Sequence, residues 1–220
     1  MLNKKASEVM ETVERQIAGK LLQIKAIKLQ PANPFTWASR WKSPIYCDNR
    51  KTLSYHDIRT IIKTAFTKLI TTRFPEVTAI AGVATGAIAQ GVLVADHLQL
   101  PFAYIRATPK GHGLENLIEG ELNSGAKVVV VEDLVSTGGS SLKAVKAVRN
   151  SGCEVIGLVA IFTYGFPIVE QQFKAASVPF YTLSDYNAVI EEAARINYIE
   201  EADIAILQEW RKDPANWAPK

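Results

Sequence analysis

Apolar residues recur every three or four positions between residues 6 and 27, where Val9, Val13, Ile17, Leu21 and Ile24 stand among charges. That spacing lines one face of a helix, so the segment is read as an amphipathic α-helix. Residues 30–50 break the pattern. Pro31, Pro34 and Pro44 sit there with Phe35, Trp37 and Trp41, and neither helical nor alternating periodicity survives. A second helix is expected from about residue 54. Ser54 and Asp57 have capping-box spacing, and Ile58, Ile61, Ile62, Ala65, Phe66, Leu69 and Ile70 form its apolar stripe.

Beyond it the pattern alternates. Short apolar runs at residues 78–83, 102–106, 127–131, 154–162 and 179–183 are expected to be buried strands. Helices are expected between several of them, at 88–98, 141–150 and 167–176. Strands apolar on both faces and separated by helices predict an α/β fold, a central mainly parallel sheet flanked by helices. Ligands of such sheets bind at the carboxyl ends of the strands. The tail, residues 185–220, adds two helices, the second with Ile204, Leu207 and Trp210 on one face. No internal repeat or flexible linker divides the 220 residues, a length that suits one domain.

Composition narrows the class. A formal charge of +3 is too small to argue for nucleic acid, and suits a small polyanionic substrate equally well. Cys47 and Cys153 are far apart and in no metal-ligand spacing, which fits a reducing compartment and argues against zinc. Charges interrupt the first helix throughout, so it reads as neither signal peptide nor membrane span, and a cytoplasmic location is expected. His56 and His97 have no partner at metal spacing and are read as helix-surface residues.

The chemistry concentrates at residues 127–141, KVVVVEDLVSTGGSS. Four valines make a buried strand with Glu132 and Asp133 at its end. Ser136, Thr137, Gly138, Gly139 and Ser140 then lead into a helix whose apolar face is Leu142, Val145 and Val148. A turn rich in hydroxyls and glycine at a helix N-terminus presents unpaired N–H groups and the positive end of the dipole, which suits a phosphate. The two acids would repel that phosphate, so vicinal sugar hydroxyls, or a metal ion held by them, are their natural partners. Together the two features match the two ends of a ribose 5-phosphate. A nucleotide P-loop would need a lysine where Ser140 and Ser141 stand, and a dinucleotide fingerprint would lie near the first strand without paired acids. Helix capping alone explains Ser140 but not Glu132 and Asp133.

This run resembles the signature of the type I phosphoribosyltransferases, which bind 5-phosphoribosyl 1-diphosphate (PRPP). The resemblance implies that Glu132 and Asp133 hold the ribose hydroxyls and that residues 136–140 wrap the 5-phosphate. Leu134 and Val135 complete the PRPP-binding run.

Residues 106–113 read RATPKGHG, and Arg, Lys and His spaced by Gly and Pro make a cationic loop suited to closing over a pyrophosphate. The loop resembles the catalytic loop of orotate phosphoribosyltransferases. By that match Arg106, Lys110 and His112 are the catalytic cations, reaching pyrophosphate across a homodimer interface, with Lys110 or His112 as proton donor. Ala107 stands where many members carry a second basic residue.

Residues 34–50, PFTWASRWKSPIYCDNR, resemble that family's base-binding segment. The match implies that Tyr46 and Cys47 line the orotate ring, with Ser136 reaching it from the phosphate turn. The segment departs from the family at Ala38, where some members have lysine, and at Arg40, where glycine is usual; Lys42 survives nearby. Tyr164 falls near the position of an orotate-binding arginine in some members. Residues 82–88, GVATGAI, taken alone are an ordinary strand-to-helix turn, but they resemble the family's pyrophosphate loop, with Ala84, Thr85 and Gly86 offering backbone N–H groups.

The resemblance therefore implies a type I phosphoribosyltransferase fold in a single domain. A small N-terminal hood would span about residues 1–55 with C-terminal contributions, and a PRPP-binding core about 56–185. The implied reaction is that of a pentosyltransferase in pyrimidine biosynthesis, turning orotate and PRPP into orotidine 5′-monophosphate and pyrophosphate. Mg²⁺ is the implied cofactor, held mainly by substrate oxygens rather than by a protein cage. Two other readings share the PRPP turn: a phosphoribosyltransferase for another base, and a PRPP-binding regulator. The regulator would want a basic nucleic-acid surface, and Glu8, Glu11 and Glu14 among the lysines of the first helix argue against one.

Overall fold

The computed structural model describes residues 2–37, 39–108 and 117–218, with side chains from Val13 onward. Its elements fall into two units, residues 1–55 with 184–220, and residues 56–183.

The first unit begins with α1 (Leu2–Gln23), whose inward face carries Ile17, Ala18, Leu21 and Leu22. The helix stops four residues short of the expected end at residue 27. Lys25 adopts a left-handed φ of 54°, its N–H donates to Leu22 O, and the Ala26 N–H donates to Leu21 O. This pair of bonds is a Schellman closure, usually made by glycine, so a lysine in that place gives no stop signal in the sequence. Ile27 then starts β1 (Ile27–Leu29). Residues 30–50 resolve into a hairpin of β2 (Phe35–Thr36) and β3 (Lys42–Ser43), followed by β4 (Ile45–Cys47), antiparallel to β1. Strands of two or three residues are too short to show a period, which is why none was legible. A 3₁₀ turn at Asn49–Ser54 follows.

The second unit opens with α2 (His56–Arg73). Ser54 closes the 3₁₀ turn instead of capping this helix, which starts one residue later than a cap at Ser54 would place it. Then come β5 (Ala79–Val83), α3 (Ile88–Leu98), β6 (Phe102–Ile105), β7 (Ile118–Glu119), β8 (Lys127–Val135), α4 (Gly139–Asn150), β9 (Glu154–Thr163), α5 (Pro167–Ala175) and β10 (Phe180–Asp185), within which the boundary between the units falls. The strands form one sheet of six in the order β10-β9-β8-β5-β6-β7. Strands β9, β8, β5 and β6 run parallel, and the two-residue β7, too short to read from sequence, is antiparallel to its neighbour β6. The expected α/β architecture is present.

The valines of residues 128–131 are fully buried at the centre of this sheet. Strand β8 runs four residues beyond the expected end at residue 131, pairing Glu132 with Ala160, Leu134 with Phe162 and Val135 with Thr163. A charged residue normally ends a buried strand. Here the Glu132 carboxylate accepts hydrogen bonds from the Ser141 hydroxyl and the Asp133 N–H, so the ladder continues through it.

The tail supplies α6 (Tyr186–Arg195) and α7 (Glu201–Lys212) to the first unit. Trp210 on α7 is fully buried, packs edge-on against Trp37 at 5.6 Å, and donates its indole N–H to Lys42 O at 3.0 Å. Trp37 in turn donates to Ile45 O at 3.1 Å. The C-terminal helix thus anchors the β2–β3 hairpin through two tryptophans, each with its polar atom satisfied.

Candidate active site

Neighbouring strands β8 and β5 feed helices that leave in opposite directions along the sheet, since β5 continues through α3 to β6 and β8 through α4 to β9. That divergence opens a crevice at their carboxyl ends, the place where open α/β sheets bind ligands.

After Val135 the chain turns through residues 136–138 into α4. Gly138 is the N-cap residue at φ 87°, a conformation glycine adopts without strain, and it has no side chain to close the first turn. Ala87, the N-cap of α3, also lacks a polar side chain. The tail helices differ: Asp185 accepts the Ala188 N–H at 2.9 Å for α6, and Glu200 with Asp203 makes a capping box for α7. The two helices that begin at the crevice therefore present their first N–H groups and positive dipole ends without a carboxylate of their own, which suits an anion. Ser140 lies inside α4, one residue past its start, and is not its cap.

Residues 84–87 join β5 to α3, and the Ala84–Thr85 peptide is cis. Gly86 faces Asp133 so closely that a methyl group there would stand 2.3 Å from Asp133 Oδ2. Glu132 is 4% exposed; its Oε2 accepts from Ser141 at 3.1 Å and its Oε1 from the Asp133 N–H at 3.0 Å. Burial first, and the charge of Asp133 second, hold the Glu132 carboxyl well above its ordinary value. Arg106 follows β6 and pairs with Glu119 at 3.2 Å. A cleft of about 380 Å³ beside it is lined by Ala84, Arg106, Ser140, Lys143 and Lys146, among others.

Residues 52–191 match the phosphoribosyl transferase domain family. The chain is 69% identical to the orotate phosphoribosyltransferase of Bacteroides fragilis over 208 residues, covering 94% of this chain and 98% of that one. It is 50% identical to the orotate phosphoribosyltransferase of Bacillus caldolyticus, over 93% and 99% of the two chains. This chain belongs to the orotate phosphoribosyltransferase family. Its fold is shared with the crystal structure of the orotate phosphoribosyltransferase from Aeropyrum pernix, at a TM-score of 0.73 and 23% identity over 84% of this chain and 99% of that one.

Of the residues expected in an orotate phosphoribosyltransferase site, the second unit brings together Glu132, Asp133, the turn 136–140 and Gly86. Tyr46 and Cys47 lie on β4 in the first unit; the Tyr46 ring is 40% exposed and 5.6 Å from that of Phe35, and the Cys47 thiol donates to Asn49 Oδ1. Lys110 and His112 lie outside the described residues, as does Ala38. Tyr164 is buried, edge-on to Phe162 and stacked with Phe166. His56 and His97 are exposed on α2 and α3. No cluster of three or more His, Cys, Asp or Glu able to hold a metal ion occurs among the described residues, and no described helix is long and apolar enough to cross a membrane.

Sequence reasoning passed over Ser141 and Thr163. The buried stripe of α4 is Ser141, Ala144, Val145 and Val148, with Leu142 at its edge. A hydroxyl in an otherwise apolar stripe requires a buried acceptor, and that was the available signal for the Ser141–Glu132 bond.

A pH effect follows. A carboxyl whose folded pKa is raised contributes stability that is full below the ordinary value of 4.5 and is lost as pH rises through the raised value. Glu132→Gln keeps an oxygen for the Asp133 N–H and offers an N–H to Ser141 Oγ, without the charge. Thermal unfolding should show the variant melting above the wild type at about pH 8, with the gain gone near about pH 4. An equal difference at both pH values would place the effect in packing.

Proposed function

We propose that the chain transfers ribose 5-phosphate from PRPP to orotate, giving orotidine 5′-monophosphate and pyrophosphate in pyrimidine biosynthesis. The 69% identity to a curated orotate phosphoribosyltransferase over nearly the full length carries this reading. The crevice supports it, pairing acids with helix termini free of acidic caps. In it, the turn 136–140 receives the 5-phosphate on backbone N–H groups, with Leu134 and Val135 leading into it. Glu132 and Asp133 hold the ribose hydroxyls. Residues 84–86 face the pyrophosphate with their backbone. Tyr46, Cys47 and Ser136 receive the base. The hood, residues 1–55 with the tail, and the core complete one phosphoribosyltransferase domain.

The C1–pyrophosphate bond loosens ahead of attack by the base nitrogen, leaving oxocarbenium-like charge on the ribose beside the acids. The chain supplies orientation and electrostatic stabilisation and needs no protein nucleophile. Arg106, Lys110 and His112 stabilise the departing pyrophosphate, donated by one protomer of a homodimer to the site of its partner. Mg²⁺ would bind through substrate oxygens and neutralise the diphosphate; a site with one half-buried Asp133 and no carboxylate cluster among the described residues fits an ion so held. The expected location is the cytoplasm.

The test is loss of orotate absorbance in the presence of purified protein, PRPP and Mg²⁺. Loss that requires all three is expected. PRPP binding without orotate turnover would reassign the base.

A further inference from the structure

Thr163 ends β9 and pairs across the parallel ladder with Val135, the last residue of β8. It is a polar residue in the core, 6% exposed. Its hydroxyl donates to the Val135 carbonyl at 2.9 Å and accepts the Gly165 N–H at 3.1 Å. Beyond this rung the strands part: one chain enters the turn at Ser136, and the other bends at Gly165, where φ is 63°. Tyr164, packed against Phe162 and Phe166, holds that bend in place.

What the hydroxyl grips gives it a role beyond filling the core. The Val135 carbonyl and the Ser136 N–H belong to one planar peptide and point in opposite directions across it. Fixing the oxygen fixes the direction of the first N–H of the turn. The Gly165 bond fixes the hydroxyl in turn, since accepting there leaves its proton aimed at Val135.

We infer that Thr163 is a positioning residue for substrate, orienting the phosphate-binding turn through the Val135–Ser136 peptide. The inference rests on the reading of residues 136–140 as the 5-phosphate site. Thr163 itself touches no substrate in this scheme. Its effect should therefore appear in the affinity for PRPP, while the chemistry at the ribose C1 and the handling of orotate keep their own determinants.

The experiment compares Thr163→Val and Thr163→Ser with the wild type. Valine keeps the β-branched shape suited to a strand and removes the hydroxyl; serine keeps the hydroxyl. For Thr163→Val the KM for PRPP should rise about tenfold, the scale of one buried hydrogen bond, with kcat and the KM for orotate changed far less. Thr163→Ser should retain a near-wild-type KM for PRPP. Thermal unfolding of each variant is measured alongside. A valine variant that melts lower but keeps its KM for PRPP, or a serine variant as impaired as valine, overturns the inference. Wild-type protein with no PRPP-dependent turnover would remove the reading of the turn and the inference with it. Wild-type turnover with an unmoved valine variant removes the role of Thr163 alone.

Discussion

A Gly86→Ala variant is expected to lose PRPP turnover by roughly 100-fold, the scale of a displaced electrostatic contact in a catalytic site. The added methyl would lie 2.3, 2.4 and 2.5 Å from Oδ2, Cγ and Oδ1 of Asp133. Such separations do not occur between non-bonded atoms, so either the carboxylate rotates or the loop at residues 84–87 withdraws. Asp133 is borne by β8 between Glu132 and Leu134, both laddered to β9, so its main chain is held there. Either remaining response separates groups assigned to ribose from groups assigned to pyrophosphate. Overpacking typically costs about 1–3 kcal/mol, which a domain of this size can survive, so the loss should appear mainly in catalysis and PRPP affinity. Steady-state kinetics with PRPP varied, together with circular dichroism, would check it. A folded variant with wild-type kinetics would mean that the two loops do not form one site.

Lys110→Ala should lower kcat by roughly 100-fold or more while leaving the melting temperature unchanged, as expected for one preorganised cation on a leaving group. The residue is assigned through the loop it shares with its family. Unchanged turnover would remove the loop from the mechanism. The two variants also test the proposed dimer. Gly86→Ala damages the site of its own protomer, whereas Lys110→Ala damages the loop lent to the partner. A mixed dimer then retains one site with both parts intact, so mixing the two inactive proteins under conditions of subunit exchange should restore activity. Absence of recovery would mean that the loop serves its own protomer.

Much of the core was legible because parallel strands and the helices between them are long enough to show a period. Helix α3 lies where its apolar spacing put it, and β5, β6 and β9 end within a residue of expectation. Polar residues that are satisfied inside the protein misled the reading. Glu132 marked the end of β8 in sequence yet lies within it, since Ser141, nine positions on, supplies its hydrogen bond. Thr163 fell one residue past the expected end of β9 at residue 162, and the exposed Lys25 hid a helix end. The elements of residues 27–47 were illegible for a different reason. Strands this short gain their order from a partner distant in sequence, Trp210, whose indole reaches back 168 positions to Lys42. The order of motifs along the chain carried the assignment of the site, whereas periodicity alone would have left residues 82–88 as a plain turn.

Helices α3 and α4 begin with alanine and glycine at the N-cap, while α6 and α7 carry acidic caps. A substrate phosphate at α4 would do for that helix what Asp185 does for α6, so folding and substrate supply are thermodynamically linked. At a ligand concentration of about 100 times Kd, such linkage is worth about 2.7 kcal/mol. The lifetime of the chain against proteolysis would then rise and fall with the PRPP pool, making its abundance a readout of precursor supply even where its synthesis is constant.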